Sequence, residues 1–267
     1  MPGHLGRVQG GGASGRRAVS TAPLRRWPCA GYAARVAHVF RFFLPFATAV
    51  TPGACVSLDP DDAHRVRKVL RLGAGAAVEA ADGTGRVFAA EVDDPRRGTL
   101  LIGAELPAQP DLAPIRVLLA QSGPRADDAV EKLVELGVAE IGPLLAAGRR
   151  QEARLDRWER VARGAAAQAK LARIPAILPP VAYADALIEG AVVCSHEGAD
   201  GDLHAAFAAA GRPLALLIGP EAGFSADELA AARAAGAPIV SLGPTVLRTE
   251  TAAIVAATLA RAHLAHG

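Results

Sequence analysis

The pattern of hydrophobic and polar residues changes character near residue 110. Before that point, short apolar or alternating runs are separated by turn signals such as Asp82-Gly83 and Arg97-Gly98, which is typical of β-strands joined by tight turns. The predicted strands are 40–44, 76–81, 87–92 and 99–105, and only 61–71 has a helical pattern. The strand spacing predicts a small, barrel-like, mostly-β domain over residues 38–108.

After a polar, proline-containing linker at 109–114, predicted strands alternate with predicted helices. Apolar runs typical of buried strands occupy 115–120, 139–145, 191–194, 213–218 and 238–242. Helical periodicity marks 126–136, 155–171 and 250–263, and the capping box of Ser225 and Glu228 opens a further helix. This alternation predicts an α/β domain with a mostly parallel sheet over residues 113–267.

The first 37 residues are rich in glycine, arginine, alanine and proline and lack apolar periodicity, so we expect residues 1–37 to be a disordered extension. Their acid-free, arginine-bearing sequence leaves two alternatives open, a secretory signal and a mitochondrial transit peptide. Against a signal peptide, Arg41 interrupts the adjacent apolar region. We therefore expect a cytoplasmic protein.

Charge and cysteine content bear on whether the protein binds nucleic acid or metal ions. The net charge is +2, but seven arginines precede the first acidic residue, Asp59, and the remainder carries a net charge of −5. Such a body does not favour nucleic-acid binding over its whole surface, so any RNA contact should come from local basic clusters. The three cysteines, Cys29, Cys55 and Cys194, lack metal-ligand spacing, which favours a reducing compartment and no metal. We expect no membrane partner, because no apolar run is long enough to span a bilayer.

The loop 217–224 follows a predicted buried strand and precedes the capped helix. Gly219 and Gly223 allow backbone amides to approach a ligand closely, and α/β sheets bind ligands at the carboxyl ends of their strands. No Lys-Ser/Thr pair follows the glycines, so the loop is not a nucleotide-hydrolase P-loop. Either a ligand site or an ordinary strand-to-helix turn fits this loop taken alone.

The loop 242–252 crowds polar side chains where the chain enters its last predicted helix. Thr249 as an N-cap and Glu250 at the helix start follow from helix formation alone. Arg248 does not, because a cation at a helix N-terminus is unfavourable unless it faces an anion or a ligand. This second loop therefore favours a functional site.

Together, L-I-G-P-E-A-G-F at 217–224 and S-L-G-P-T-V-L-R-T-E-T-A at 241–252 resemble the last third of the SPOUT methyltransferases. The closest resemblance is to the family that methylates N3 of a uridine in 16S rRNA. It extends from Phe40 to Leu264 and includes 64–72, 131–138, 157–158 and 165–168. The sequence departs from the family pattern at Ala63, at 148–150, at 167–171 and at Ala222, which weakens mainly the RNA-facing side.

The resemblance implies a C-terminal SPOUT domain with a trefoil knot, a PUA-like N-terminal β-barrel and a homodimer with composite active sites. It implies S-adenosyl-L-methionine as cofactor and methylation of N3 of uridine 1498 of 16S rRNA in the 30S subunit. Two alternatives stay open. One is a different RNA acceptor, such as a ribose 2′-hydroxyl, and the other is a non-catalytic RNA-binding assembly factor.

The resemblance also suggests roles for individual residues. We expect Arg248 to stabilise negative charge on the uracil and Glu250 to orient Arg248 or handle the proton; alternatively, Glu250 only begins the helix. The predicted cofactor-binding residues are Ser195, His196, Glu197, Leu217, Ile218, Gly219, Pro220, Glu221, Gly223, Phe224, Leu242, Gly243, Leu247, Arg248, Thr249, Thr251 and Ala252. The predicted RNA-binding residues are His64, Arg67, Lys68, Arg71, Arg149, Arg150, Gln168 and Arg173.

Overall fold

A computed structural model describes residues 39–45, 50–120, 124–146 and 154–266. The segment from Val39 to Gly267 forms one compact unit. The predicted extension 1–37 lies outside the described residues, and the proposed division into domains at 108–113 stays a prediction. None of the helices in the described ranges is both long and apolar enough to cross a membrane.

The five-stranded sheet of residues 40–105 consists of β1 (Phe40–Phe43), β2 (Cys55–Ser57), β3 (Ala77–Ala81), β4 (Val87–Asp94) and β5 (Thr99–Glu105), and α1 is Pro60–His64. The strand order in the sheet is β1-β3-β4-β5-β2. The pair β1–β3 is parallel and the other pairs are antiparallel. The predicted helix becomes α1 followed directly by a π-helical turn at Arg65–Val69. The predicted strands are present, whereas the PUA-like barrel stays a prediction.

The remainder is an α/β layer structure with an all-parallel seven-stranded sheet, which confirms the predicted fold class for this region. The strands of the sheet are β6 (Ile115–Leu119), β7 (Glu140–Leu145), β8 (Ala176–Ile177), β9 (Val181–Ala182), β10 (Ala191–Cys194), β11 (Leu214–Ile218) and β12 (Ile239–Val240). Their order is β12-β10-β11-β6-β7-β8, and β9 pairs with β7. The helices of this region are α2 (Pro124–Glu135), α3 (Leu155–Gln168), α4 (Tyr183–Ala186), α5 (Leu203–Ala209), α6 (Ala226–Ala234) and α7 (Thr249–His266).

Helices cover both faces of this sheet, as the fully buried central strand β11 shows. Leu214, Leu216 and Ile218 pack in a core with residues of α2, α3 and α7. Ala215 and Leu217 point the other way, into a second core that includes residues of α4 and α6. The alternation follows from the two-residue period of a β-strand, and burial on both faces explains why the strand is a continuous apolar run.

Arg261, near the end of α7, is almost fully buried and its guanidinium is satisfied by backbone oxygens. It donates hydrogen bonds to the carbonyl groups of Ala113 (2.7 Å), Leu136 (3.2 Å) and Gly137 (2.6 Å). Two of these carbonyls belong to the C-terminal end of α2, where a positive charge is favourable. Arg261 therefore holds together the linker, the end of α2 and the last helix.

A cluster of charged side chains joins the five-stranded sheet to the α/β region. Arg41 is only 3% exposed and contacts the carboxylate of Glu79 at 2.8 Å. The ammonium group of Lys170 contacts the same carboxylate at 3.4 Å, and burial lowers the pKa of Lys170. Arg41 also donates to the carbonyl of Lys170, whose φ is +59°. Lys170, in the segment 167–171 that departs from the family pattern, is thus part of this junction.

Asp62, in the first turn of α1, is expected to reduce stability near neutral pH. Burial, with the nearby charge of Asp59, raises its pKa from 3.8 to about 6, against the opposing charges of Arg163 and Arg65. Because ionised Asp62 is disfavoured in the folded state, Asp62→Asn should raise the free energy of unfolding at pH 7.5. After allowance for solvent screening we expect about 1–2 kcal/mol.

The pH dependence gives the check for this prediction. Below pH 3.8 Asp62 is protonated in both the folded and the unfolded chain, so the advantage of Asn should disappear as the pH falls from 6 through 3.8. Urea denaturation of both proteins across this range measures it. A gain in stability that is equal at all pH values would contradict the explanation.

Candidate active site

The chain segments that leave β10, β11 and β12 converge on one cleft at the carboxyl edge of the parallel sheet. This is the edge at which α/β sheets bind ligands. The cleft is lined by Cys194, Ser195, His196, Glu197, Ile218, Gly219, Pro220, Glu221, Ala222, Gly223, Phe224, Ser241, Leu242, Thr245, Val246, Leu247, Thr249 and Ala252. Both loops singled out by the sequence therefore meet in one place.

The first loop, after β11, is shaped by close packing of Phe224 on Gly219. A Cβ atom at Gly219 would lie 2.9 Å from the Phe224 ring, which is too close for any larger residue. Behind Phe224 lies Tyr183, with 5.2 Å between the ring centroids, and its hydroxyl donates to the carbonyl of Glu228 at 3.0 Å. The capping box between Ser225 and Glu228, predicted from the sequence, then begins α6. The backbone of this loop is thus supported by the packed rings of Phe224 and Tyr183.

The second loop is tied to the first by Thr249. Its buried hydroxyl donates to the carbonyl of Gly219 at 3.0 Å. Thr249 is the first residue of α7, and the amide of Ala252 donates to the carbonyl of Arg248 at 2.8 Å. The start of α7 and the glycine-containing loop are therefore joined by a direct hydrogen bond.

The third segment, after β10, supplies polar groups to the cleft. The amide of Ser195 donates to the carbonyl of Val240 at 3.0 Å, and its hydroxyl donates to the carbonyl of Glu197 at 2.7 Å. Cys194 is buried, and burial raises the pKa of its thiol to about 12. The thiol is therefore neutral near pH 7 and unsuited to act as a nucleophile.

Most of the predicted cofactor-binding residues line this cleft. The exceptions among them are Leu217, Gly243, Arg248 and Thr251. Leu217 is fully buried, its side chain lies on the opposite face of β11 from that of Ile218, and it is not among the residues that line the cleft. Five further residues line the cleft and were not predicted from the sequence: Cys194, Ala222, Ser241, Thr245 and Val246. Their position inside the two loops, or directly before a predicted residue, was a usable signal. A cofactor-binding role for each residue stays a prediction.

The two predicted catalytic residues lie at the start of α7 in different environments. Arg248 is exposed. The side chain of Glu250 is 17% exposed and forms an ion pair with Arg125, with Nε and Oε1 3.9 Å apart. Arg125, in the first turn of α2, was not identified from the sequence. The carboxylate that we expected to orient Arg248 therefore has a contact on α2.

The predicted RNA-binding residues are mostly exposed but are not all free. His64, Arg67, Lys68 and Arg71 lie on α1 and the turn that follows it, and all four are exposed, as is Gln168 at the end of α3. Arg173 donates to the carbonyl of Thr84 and contacts Asp111 at 3.5 Å, so it helps to hold the β3–β4 turn. Arg149 and Arg150 lie outside the described residues. Within the described ranges no group of His, Cys, Asp and Glu side chains could hold a metal ion.

A family model and the most similar relatives that we describe all belong to RNA methyltransferases. A family model described as an RNA methyltransferase domain matches residues 111–261. The chain is 35% identical over 224 residues to Ribosomal RNA small subunit methyltransferase E of Mycobacterium tuberculosis, covering 76% of this chain and 85% of the relative. It is 29% identical to the protein of the same name from Synechocystis, covering 80% and 77%.

Solved structures resemble this one over most of its length. Ribosomal RNA small subunit methyltransferase E from Neisseria gonorrhoeae, bound to S-adenosyl methionine, has a TM-score of 0.72 at 28% identity, covering 83% of this chain and 96% of that one. A methyltransferase from Legionella pneumophila, in complex with the bound cofactor SAM, has a TM-score of 0.72 at 27% identity, covering 84% and 98%.

Proposed function

Since the chain belongs to the RNA methyltransferase family, we propose that it transfers a methyl group from S-adenosylmethionine to N3 of a uridine in 16S rRNA. The observation that carries the proposal is the joining of two loops in one cleft. The turn around Gly219 and the start of α7 meet there through the Thr249 hydrogen bond. By the names of the relatives, the target is small-subunit rRNA, and by family resemblance it is uridine 1498 of the 30S subunit.

The chemistry of the cleft fits S-adenosylmethionine. Ile218, Leu242 and Leu247 offer apolar surface for an adenine ring, while the loop from Gly219 to Gly223 offers backbone amides and carbonyls. The carboxylates of Glu197 and Glu221 place negative charge at a site for a cationic ligand. When bound, S-adenosylmethionine supplies an electrophilic methyl group on a sulfonium. Solved relatives hold this cofactor.

Arg248 and Glu250 are proposed to act on the acceptor uridine. N3 of uracil is a weakly acidic imide, so its attack on a methyl group releases a proton and is helped by stabilisation of negative charge on the ring. The exposed Arg248 guanidinium would face that charge. Glu250 would orient Arg248 or accept the proton. Holding the acceptor in line with the methyl group accounts for much of the remaining acceleration.

The wider assembly is also a proposal. We infer a homodimer, a C-terminal trefoil knot of the SPOUT type and a PUA-like N-terminal domain, all from the family resemblance, and cytoplasmic action on the ribosomal subunit. The exposed His64, Arg67, Lys68 and Arg71 would contact RNA phosphates. Because the body of the protein is net acidic, we expect binding to assembled 30S subunits to be stronger than binding to free RNA.

The proposal is tested by incubating the protein with labelled S-adenosylmethionine and 30S subunits that lack the modification, followed by nucleoside mass spectrometry. Label recovered as 3-methyluridine supports it. Label in a 2′-O-methylated nucleoside would keep the cofactor and replace the acceptor. Absence of both methyl transfer and cofactor binding would favour the non-catalytic assembly factor.

Gly219→Ala should weaken S-adenosylmethionine binding by at least about tenfold. The new Cβ would lie 2.9 Å from the Phe224 ring and would push this side chain and the loop out of place. Calorimetric titration measures the dissociation constant. Gly164→Ala is the matched control, because nothing lies within 4 Å of its added Cβ on α3. Equal affinities for the two variants would contradict the assigned cleft.

A further inference from the structure

The start of α2 lies at the same edge of the sheet as the candidate cleft. Strands β6 and β11 are parallel neighbours, and just beyond them the amide of Ala120 donates to the carbonyl of Ile218 at 2.9 Å. The chain leaving β6 therefore emerges beside the chain leaving β11. Helix α2 begins at Pro124, so Arg125 occupies its first turn near this edge.

The charge of Arg125 is placed against the local preference of a helix. A cation in the first turn is disfavoured by the helix dipole, whereas a carboxylate there is favoured. Asp127 satisfies that preference on α2 and forms an ion pair with Arg157 of α3. The guanidinium of Arg125 instead contacts Glu250, in the first turn of α7, at 3.9 Å. The contact thus joins the starts of two helices that are distant in sequence.

The contact between Arg125 and Glu250 should affect the position of the start of α7 more than the free energy of unfolding. The side chain of Arg125 is 58% exposed, so solvent screens the ion pair. Glu250, in contrast, directly follows Thr249, whose hydroxyl is fixed to the loop carbonyl of Gly219. The first turn of α7 is therefore fixed at two points. Thr249 bonds to the loop of the cleft, and Glu250 contacts α2. Arg248 immediately precedes this doubly held turn.

We propose that Arg125 is a positioning residue for methyl transfer, which acts through Glu250 to fix the start of α7 and with it the Arg248 guanidinium. This inference rests on the proposed function of the same site. It assigns to Glu250 a task in orientation, shared with Arg125. Arg125 need not touch the cofactor or the uridine.

The test compares Arg125→Gln, Arg125→Lys, Glu250→Gln and the Arg125→Gln/Glu250→Gln double variant, with 30S subunits as substrate. We expect Arg125→Gln to lower kcat about tenfold, with KM for 30S and the cofactor dissociation constant within about twofold. Arg125→Lys should restore most of kcat. Glu250→Gln should show the same loss, and the double variant should lose no more, because the pair acts as a unit.

Arg160→Gln is the matched control, since it removes an exposed arginine from an ion pair with Asp156 on α3. Its kcat should equal that of the wild type, and the Tm of all variants should agree within about 2 °C. Unchanged kcat in Arg125→Gln, or fully additive losses in the double variant, would overturn the proposal. A raised KM with normal kcat would overturn it too, by showing direct contact of Arg125 with RNA.

Hydrogen exchange separates this inference from the proposed function. In the presence of S-adenosylmethionine and without RNA, the amides of residues 249–254 should exchange faster in Arg125→Gln than in the wild type. The variant lacks the contact with Glu250, so the first turn of α7 should open more often. If the wild type fails to methylate 30S subunits, the proposed function fails, and this measurement still decides whether Arg125 holds the start of α7 through Glu250. Identical exchange in the two proteins would overturn it whatever the activity.

Discussion

Replacing Arg248 by alanine should lower kcat for methyl transfer by about 10²–10³-fold. The guanidinium is exposed at the start of α7, beside the cleft that we assign to the cofactor. A fixed cation at this place would stabilise the negative charge that develops on the uracil ring, and its loss removes an interaction made mainly in the transition state. Single-turnover methylation of 30S subunits measures the effect.

Cofactor binding is the internal control for this prediction. Because Arg248 does not belong to the cleft lining among the described residues, the dissociation constant of S-adenosylmethionine in Arg248→Ala should stay within about twofold of the wild-type value. Arg248→Lys keeps the charge but not the planar fork of donors, so it should recover only part of the activity. Full turnover by the alanine variant would refute the catalytic role of Arg248.

Replacing Glu79 by alanine should lower the free energy of unfolding by about 3–5 kcal/mol. The Glu79 carboxylate, 13% exposed, lies between the guanidinium of the buried Arg41 and the ammonium of Lys170. Its removal leaves two partly or fully buried cations without their anion, and such charges are costly. Urea denaturation should detect the change, together with a drop in Tm on the order of 10 °C.

An exposed ion pair in the same sheet provides the comparison. Glu105 contacts Arg86 at 2.7 Å, but both side chains are nearly half exposed. Water can replace this contact, so Glu105→Ala should leave Tm nearly unchanged. If the two variants lost equal stability, burial would not be the reason for the importance of Glu79.

Buried strands that are continuously apolar were the part of the fold that could be predicted well from the sequence. The buried runs of β6, β10 and β11 were found within a residue of their observed ends because strands covered on both faces are continuously apolar. Strands β8 and β9 contain only two residues each, which is too short for a periodic signal. The same holds for α4 and its four residues.

The candidate site was predictable to the extent that it consists of consecutive loop residues. Contacts between distant residues were not, and the Arg125–Glu250 ion pair could not be read from spacing. The contacts of Arg173 with Thr84 and Asp111 also join residues that are distant in sequence. The RNA-binding role of Arg173 stays a prediction. Leu217 and Ile218 are neighbours in a strand, so their side chains lie on opposite faces of the sheet, and Ile218 is the one that lines the cleft. The cofactor-binding role of both residues stays a prediction.

The bonds of Arg261 have a consequence for the order in which this protein matures. Three carbonyls, at Ala113, Leu136 and Gly137, obtain this donor from a helix that the ribosome synthesises more than a hundred residues later. Until α7 emerges, these groups and the part of the apolar surface of α2 that packs against α7 remain exposed to water. The same helix begins with Thr249, which ties together the two loops of the cleft. During translation, the candidate cleft should therefore become complete at the same late stage as the core beneath it.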